Sequence, residues 1–203
     1  MSGREPMAAP RVVSDHHGPW TVADVLALPH DDKSYELVDG ALIVNPPPSP
    51  YHQAASGELF VLLRAACGPG LRALEAVGVQ LGQQLLIPDL VVVRASAASL
   101  HAPVLDPADV VLVVEIVSPG SRVRDRSEKP VIFAEAGIPH FWRVETSHYQ
   151  GRSAELPAVL IHELDDNGAY VLARTLGAGE VATVTEPFEV AFDPAELLRP
   201  LSG

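Results

Sequence analysis

The sequence predicts an α/β fold, in which a mixed β-sheet is flanked by helices and a small antiparallel β extension lies near the C-terminus. The segment 109–117, DVVLVVEIV, is apolar on both faces, as is typical of a central strand covered by helices. Residues 51–67 carry apolar side chains on one helical face. Residues 158–190 alternate between apolar and polar side chains, and Asn167-Gly168 within them is a typical hairpin turn.

The composition is that of a soluble globular protein. Hydrophobic residues make up 47% of the 203 residues and charged residues 20%, whereas disorder would require fewer apolar residues. This length predicts a single domain over residues 20–203, preceded by a flexible tail over residues 1–19. The one cysteine excludes an internal disulfide, and no apolar run has the length of a signal peptide or a membrane helix. We therefore expect a cytoplasmic protein with no membrane partner.

Short sequence motifs predict where the first helices and strands lie. Thr21 and Asp24 form a capping box, which predicts a short helix directly after it. The Asp39-Gly40 pair lies between two apolar runs and predicts a β-hairpin, because both turn positions favour positive φ. A Pro-rich loop then leads into the helix over residues 51–67, for which Gly68 is the expected stop.

The remaining elements follow from the same signals. Two short strands are expected within residues 74–86, followed by a strand that begins at Pro88. A helix over residues 127–136 should end at Gly137. The apolar run HFWRVET, residues 140–146, predicts a further strand.

Three carboxylates interrupt apolar strands. Glu36 lies in the first hairpin, Asp89 interrupts LLIPDLVVV and Glu115 interrupts VLVVEIV. A charged carboxylate in such a place is costly unless it is paired or bound to a cation. Any one of them could belong to an ordinary buried ion pair, but three in one small domain favour a shared metal ion. Ligands that are all oxygen favour Mg²⁺ or Mn²⁺ over zinc.

A locally basic segment directly follows Glu115. The formal net charge of the chain is −12, which counts against nucleic-acid binding unless cations cluster locally. The run SRVRDRSEK, residues 121–129, is such a cluster, at the end of a predicted central strand where anions commonly bind. The alternative is that this segment is a solvated loop without a binding role. Asp125, which lies in the segment, is interpreted as a helix cap or an arginine partner outside the site.

Five motifs follow one another between about residues 20 and 144. They are SYELVDGALIV, PPPSPYH, IPDLVVV, VVEIVSPGSRVRDRSEK and AEAGIPHFWRV. Each motif alone would be weak, but their ordered combination resembles the Uma-two family of restriction-endonuclease-like proteins. That family belongs to the PD-(D/E)XK nuclease superfamily, so the resemblance implies a restriction-endonuclease-like fold, with a mixed sheet flanked by helices.

The resemblance assigns the acidic and basic positions of the superfamily motif. Pro88-Asp89 matches the PD, and Glu115 matches the (D/E). The superfamily lysine would fall at position 117, where this chain has Val117. In the Uma-two family the lysine lies in the following helix, and Lys129 matches that position.

The resemblance implies a Mg²⁺-dependent endodeoxyribonuclease. Asp89, Glu115 and the backbone carbonyl of Ile116 would bind Mg²⁺ or Mn²⁺. Glu36, which matches the family's YEL glutamate, would bind the same ion through water or help to hold a second one. Lys129 would orient the attacking water or stabilise the phosphate in the transition state.

Other residues would contact the substrate. Arg122 and Arg126 are predicted phosphate contacts, because a planar guanidinium matches phosphate geometry. His52 matches the histidine after the Pro-rich loop and would donate or accept a hydrogen bond near the substrate, with a cap at the start of the helix as the alternative. The partner is then DNA, and a homodimer would serve to cut both strands.

Two other functions remain open at this point. A binding or assembly module that kept the nuclease fold without turnover would explain the acidic charge and the missing lysine at position 117. A metal-dependent hydrolase acting on another phosphate ester would use the same carboxylates.

Overall fold

The computed structural model describes residues 16–29, 31, 33–96, 102–151 and 153–198. Most of the predicted tail over residues 1–19 therefore lies outside the described residues. Within its last part, the ring of His16 stacks on Trp20 at a centroid distance of 3.8 Å. None of the helices in the described ranges is long and apolar enough to cross a membrane.

Three α-helices and twelve β-strands are found in the described part of the chain. In order they are α1 (Val22–Leu26), β1 (Ser34–Val38), β2 (Ala41–Asn45), α2 (Pro50–Ala66), β3 (Leu71–Glu75), β4 (Val79–Leu81), β5 (Gln84–Leu86), β6 (Leu90–Arg94), β7 (Val110–Val117), α3 (Lys129–Glu135), β8 (His140–Glu145), β9 (Ala158–Leu164), β10 (Tyr170–Gly177), β11 (Ala182–Val184) and β12 (Val190–Phe192). Short 3₁₀ turns occupy Pro107–Asp109 and Pro194–Leu198, and a π-helical turn, Arg124–Glu128, runs directly into α3.

A six-stranded sheet is the centre of the molecule. Its strand order is β10-β9-β8-β7-β6-β3, and β7 and β8 are parallel whereas the other pairs are antiparallel. Every residue of β7 except Val111 is buried. The prediction of a central strand covered on both faces, within a mixed sheet, is therefore confirmed.

The two faces of this sheet are covered by different helices. On one face, Leu59 and Leu63 of α2 belong to a core cluster with Trp142 of β8. On the other face, Phe133 of α3 packs in a cluster that includes Val113. Because side chains alternate along a strand, Glu115 points to the same face as Val113, the face covered by α3.

A second sheet has the order β2-β1-β5-β4 and supplies Glu36. Its first hairpin turns at Asp39 and Gly40, whose φ angles are 48° and 75°, so the predicted turn is confirmed. The Thr21–Asp24 capping box also forms as predicted, with the Asp24 amide donating to the Thr21 hydroxyl at 3.2 Å.

Several predicted boundaries are wrong. The two short strands expected within residues 74–86 are β4 and β5, joined by a turn at Gly82 (φ 63°), but β3, which begins before this segment at Leu71, was not predicted. The strand expected from Pro88 begins at Leu90, since the Ile116 N–H donates to the Asp89 side chain there and ladder pairing starts one residue later. Helix α2 ends at Ala66 with an extended cap residue, without the left-handed glycine expected at Gly68.

The α-helix expected over residues 127–136 spans Lys129–Glu135, whereas helical backbone begins earlier, at Arg124. The wide π-helical turn precedes α3, and Gly137 (φ 75°) ends α3 as predicted. Within this turn Arg124, Asp125 and Arg126 reach Glu36, Lys129 and Glu145, respectively.

The C-terminal region is divided between two sheets. β9 pairs with β8 along its length and β10 pairs with β9, so this hairpin extends the central sheet. Among the described residues after β10, β11 and β12 form the predicted small antiparallel sheet. The turn between β9 and β10 contains Gly168 with φ 76°, as the Asn-Gly pair predicted.

Candidate active site

Glu36, Asp89, Glu115 and Lys129 lie together where the end of β7 passes beneath the start of α3. The antiparallel register of β6 and β7 places Asp89 beside Glu115. The backbone N–H of Ile116 donates to Asp89 Oδ2 at 2.7 Å, which holds that carboxylate against the strand. The structure thus brings together all four residues that the sequence assigned to catalysis.

Lys129 is at the centre of this cluster. It is the first residue of α3, and only 7% of its side chain is exposed. Its Nζ donates to Glu115 Oε1 at 2.7 Å and lies 3.2 Å from Glu36 Oε1 and 3.7 Å from Asp125 Oδ1. One buried ammonium is therefore shared by carboxylates from β1, β7 and the π-helical turn.

Burial and charge act in opposite directions on these groups. Burial alone would lower the pKa of Lys129, but the charges of Glu115, Glu36 and Asp125 raise it above its ordinary value. Burial raises the pKa of Glu115 well above its ordinary value, an effect that Lys129 opposes and the charge of Asp89 reinforces. Lys129 therefore stays protonated, while Glu115 lacks sufficient compensation for its negative charge.

Glu36 already has donors on both oxygens. Oε1 accepts from the Ile87 N–H at 3.0 Å in addition to Lys129, and Oε2 accepts from Asn45 Nδ2 at 2.8 Å and from Arg124 Nη2. Burial would raise the pKa of Glu36, but Lys129, the Ile87 N–H and Arg124 outweigh it and lower the pKa. Glu36 is thus held ionised as an organising anion.

Asp89 forms the more open side of the cluster. Its side chain is 23% exposed, and Oδ2 lies 3.1 Å from Nε2 of His52, which is in the first turns of α2. Burial lowers the pKa of His52, but the hydrogen bond and charge of Asp89 more than offset this and raise it, with help from the backbone of Ile116. His52 therefore contacts the candidate ligand Asp89 directly.

The arginines of the basic segment take different positions. Arg122 is exposed and donates through Nε to the Pro119 carbonyl at 3.2 Å. Arg126 lies against Glu145, away from the carboxylate cluster, with Nε and Nη2 donating at 2.9 and 2.7 Å. Of these two predicted phosphate contacts, only Arg122 is exposed without a carboxylate partner among the described interactions.

The residues present fit a divalent ion held by two carboxylates. Across the described ranges, no group of three or more His, Cys, Asp or Glu side chains could hold a metal ion. Mg²⁺ in proteins commonly has only one or two carboxylate ligands and keeps several waters. Asp89 and Glu115 are adjacent, repel one another electrostatically, and offer the oxygen ligands that such an ion prefers. The four carboxylates of the site face two cations, Lys129 and Arg124, so a further cation would reduce the excess negative charge.

Four residues of this region were not predicted as site residues. Arg124 and Asn45 bind Glu36. Asp125 was expected to be a helix cap or an arginine partner outside the site, but it is 1% exposed and lies 3.7 Å from Lys129 Nζ. Glu145, at the end of β8, is fully buried. One sequence signal could have identified Glu145. It is a carboxylate within the apolar strand HFWRVET, the same pattern that identified Glu115.

A solved structure has a similar fold. It is described as a putative nuclease belonging to DUF820 from Anabaena variabilis ATCC 29413, and it aligns with a TM-score of 0.70 and 18% sequence identity. The alignment covers 89% of this chain and 98% of that chain. Likeness at this identity shows the fold alone, and it confirms the predicted α/β architecture.

The sequence itself matches a known family. No curated protein matches the chain. The Uma2 family, described as "Putative restriction endonuclease", matches residues 22–197, a longer region than the motifs of the sequence span. Because this match covers most of the chain, the protein belongs to the Uma2 family of putative restriction endonucleases.

Proposed function

We propose that this protein is a divalent-metal-dependent endonuclease that hydrolyses phosphodiester bonds in DNA. The observation that carries the proposal is the contact of Lys129 Nζ with Glu115 Oε1 at 2.7 Å, beside Asp89. An acidic pair with a lysine is the set of groups that the family resemblance implies for a metal-dependent nuclease, and here the lysine comes from the helix after the strand. Val117, at the usual lysine position, is a buried residue of β7.

Asp89 and Glu115 would hold the ion, which is Mg²⁺ or Mn²⁺. When bound, it lowers the pKa of water and neutralises charge that develops on the attacked phosphate. The N–H of Ile116 and the ring of His52 fix the Asp89 carboxylate, so one of its oxygens stays oriented. Glu36, with donors on both oxygens, is better placed to organise the site than to bind the ion directly.

Lys129 would supply positive charge at the reacting phosphate. Its surrounding carboxylates keep it protonated, so it would act as a hydrogen-bond donor rather than as a base. Glu36 and Arg124 fix its direction, because Glu36 is itself held by Arg124 and Asn45. A fixed donor needs no reorganisation during the reaction, which is the source of its catalytic effect.

DNA binding would depend on few exposed cations. The chain has a net charge of −12, and Arg122 is the arginine of the basic segment that remains exposed and without a carboxylate partner in the described structure. We therefore expect weak affinity in the absence of metal, and a salt dependence smaller than that of proteins with many phosphate contacts.

The test is nicking of supercoiled plasmid DNA with Mg²⁺ or Mn²⁺, comparing the two lysines of the sequence. Lys129→Met should reduce the nicking rate by about 100-fold or more, because it removes a fixed transition-state donor. Lys33→Met removes a lysine that is 52% exposed and should leave the rate within about twofold. Lys129→Arg preserves the buried charge and serves as a second variant if Lys129→Met does not fold.

A wild-type protein that is inert with every metal and substrate tested would contradict the proposal. It would instead favour a binding module that kept the nuclease fold, for which the acidic net charge is the supporting observation. Cleavage of small phosphodiesters but not of plasmid DNA would indicate a hydrolase of another phosphate ester.

A further inference from the structure

Glu145 is a fully buried carboxylate that the mechanism above does not use. It is the last residue of β8, with an exposed fraction of 0%. β8 runs parallel to β7, and Glu145 is the register partner of Val117, two positions beyond Glu115. Glu145 therefore lies on the same face as the candidate site, one strand away from it.

Two arginines neutralise this buried charge. Arg126 binds it with two parallel hydrogen bonds, Nε to Oε1 at 2.9 Å and Nη2 to Oε2 at 2.7 Å. Arg143 of β8 places its Nε 3.0 Å from Oε1. A bidentate arginine–carboxylate pair is among the strongest side-chain contacts and fixes the orientation of both planes. The pair consequently fixes the backbone from which Arg126 extends.

That backbone is the π-helical turn before Lys129. Arg124, in the same turn, binds Glu36 of β1, while Arg126 binds Glu145 of β8. The turn is thus attached on one side to the first hairpin and on the other side to the central sheet. Lys129 follows directly, with its N–H bonded to the Arg124 carbonyl, so its position depends on both attachments.

We propose that Glu145 is a positioning residue of the active site, which acts through Arg126 to hold the π-helical turn and thereby Lys129. The role in catalysis rests on the proposed nuclease function, whereas the mechanical link does not. Arg126 then serves as the connecting residue rather than as a phosphate contact. Burial of the Glu145 carboxylate carries a desolvation penalty that its two arginines must offset. A role in holding the turn accounts for a buried charge at this position.

Hydrogen exchange of the backbone amides, measured by mass spectrometry without metal or DNA, tests the link. Glu145→Gln should accelerate exchange across residues 121–129 by about tenfold, because it weakens charge-assisted bonds to Arg126. Exchange in β9 and β10 should stay at the wild-type rate. Arg126→Gln should give the same pattern, and it leaves Glu145 with Arg143 as a partner if Glu145→Gln does not fold.

A matched control lies next to Glu145. Thr146 donates through Oγ1 to the Val117 carbonyl at 3.3 Å, so it joins the ends of the same two strands through a hydrogen bond that does not involve the turn. Thr146→Val should leave exchange across residues 121–129 unchanged. Unchanged exchange in Glu145→Gln, or faster exchange spread equally over all strands, would overturn the proposal.

Plasmid nicking separates the positioning role from the nuclease function itself. Glu145→Gln and Arg126→Gln should each lower kcat by about tenfold with little change in KM, and the double variant should add little, because both act through one link. A raised KM in Arg126→Gln alone, with normal exchange, would instead identify Arg126 as a phosphate contact and overturn the proposal. An inert wild type with the expected exchange pattern would contradict the nuclease function but leave the link intact.

Discussion

At the scale of single residues, the site depends on an excess of buried negative charge. Glu36 and Asp125 are almost fully buried, and both contact the ammonium of Lys129. Glu115 shares the same ammonium and has a raised pKa, because burial penalises its charge and the neighbouring carboxylates add to that penalty. Such an arrangement is poor for stability alone, and it is well suited to attract a divalent cation.

Substitution of Asp89 tests whether the carboxylates of the site attract a divalent cation. Asp89→Asn keeps the acceptor for the Ile116 N–H but removes one charge, so Mn²⁺ affinity should fall by about tenfold or more while folding is retained. Isothermal titration calorimetry measures the affinity. The control is Asp106→Asn, which changes an exposed cap of the 3₁₀ turn before β7. Equal Mn²⁺ affinity in Asp89→Asn and wild type would contradict a role of Asp89 as ligand.

At the scale of the elements, local signals predicted the parts that carry Glu36 better than the parts that carry Lys129. The first hairpin turn is specified by two adjacent residues with positive φ, so its sequence alone was sufficient. The π-helical turn depends instead on contacts between distant residues, since Arg124 and Glu36 are 88 positions apart. No local pattern encodes such a contact, and the position of Lys129 came from the family resemblance.

The pairing of strands shows the same difference between local signals, which the sequence reveals, and contacts between distant residues, which it does not. The β9–β10 hairpin was predicted from its turn and alternation, but its attachment to the edge of the central sheet was not. Alternation specifies which face of a strand is buried, and it does not specify which strand becomes the neighbour.

Two glycines allow a test of the hairpin that holds Glu36. Gly40 has a φ of 75°, and a Cβ there would lie 3.0 Å from the Pro19 Cβ, so Gly40→Ala should destabilise the fold by about 1–2 kcal/mol. Gly57 lies within α2, where an added Cβ would meet no atom of another element within 4 Å, so Gly57→Ala should stabilise by about 0.5–1 kcal/mol. Urea denaturation measures both, and equal effects of the two substitutions would refute the role of positive φ in this turn.

At the scale of the whole molecule, two partly buried histidines predict a dependence of stability on pH. Burial lowers the pKa of His140 and of His162 below the ordinary value of 6.5. At these two histidines the unfolded chain binds more protons than the native chain, so their contribution to stability should decrease as the pH falls below about 6.5. His52 and Glu115, whose pKa values are raised, contribute with the opposite sign. His140→Gln combined with His162→Gln should make this decrease less steep, as measured by urea denaturation from pH 7 to pH 5. An equal effect of exchanging the exposed His17 for Gln would contradict this explanation.

The molecule as a whole is acidic, so its proposed activity on DNA depends on the metal more than on its surface charge. The central claim is therefore the ion between Asp89 and Glu115, and the most direct measurement is anomalous diffraction from crystals soaked in Mn²⁺. We expect one peak about 2.0–2.3 Å from an oxygen of each carboxylate, with Lys129 still bonded to Glu115. No peak at these residues, with Mn²⁺ present at saturating concentration, would contradict the metal-dependent mechanism.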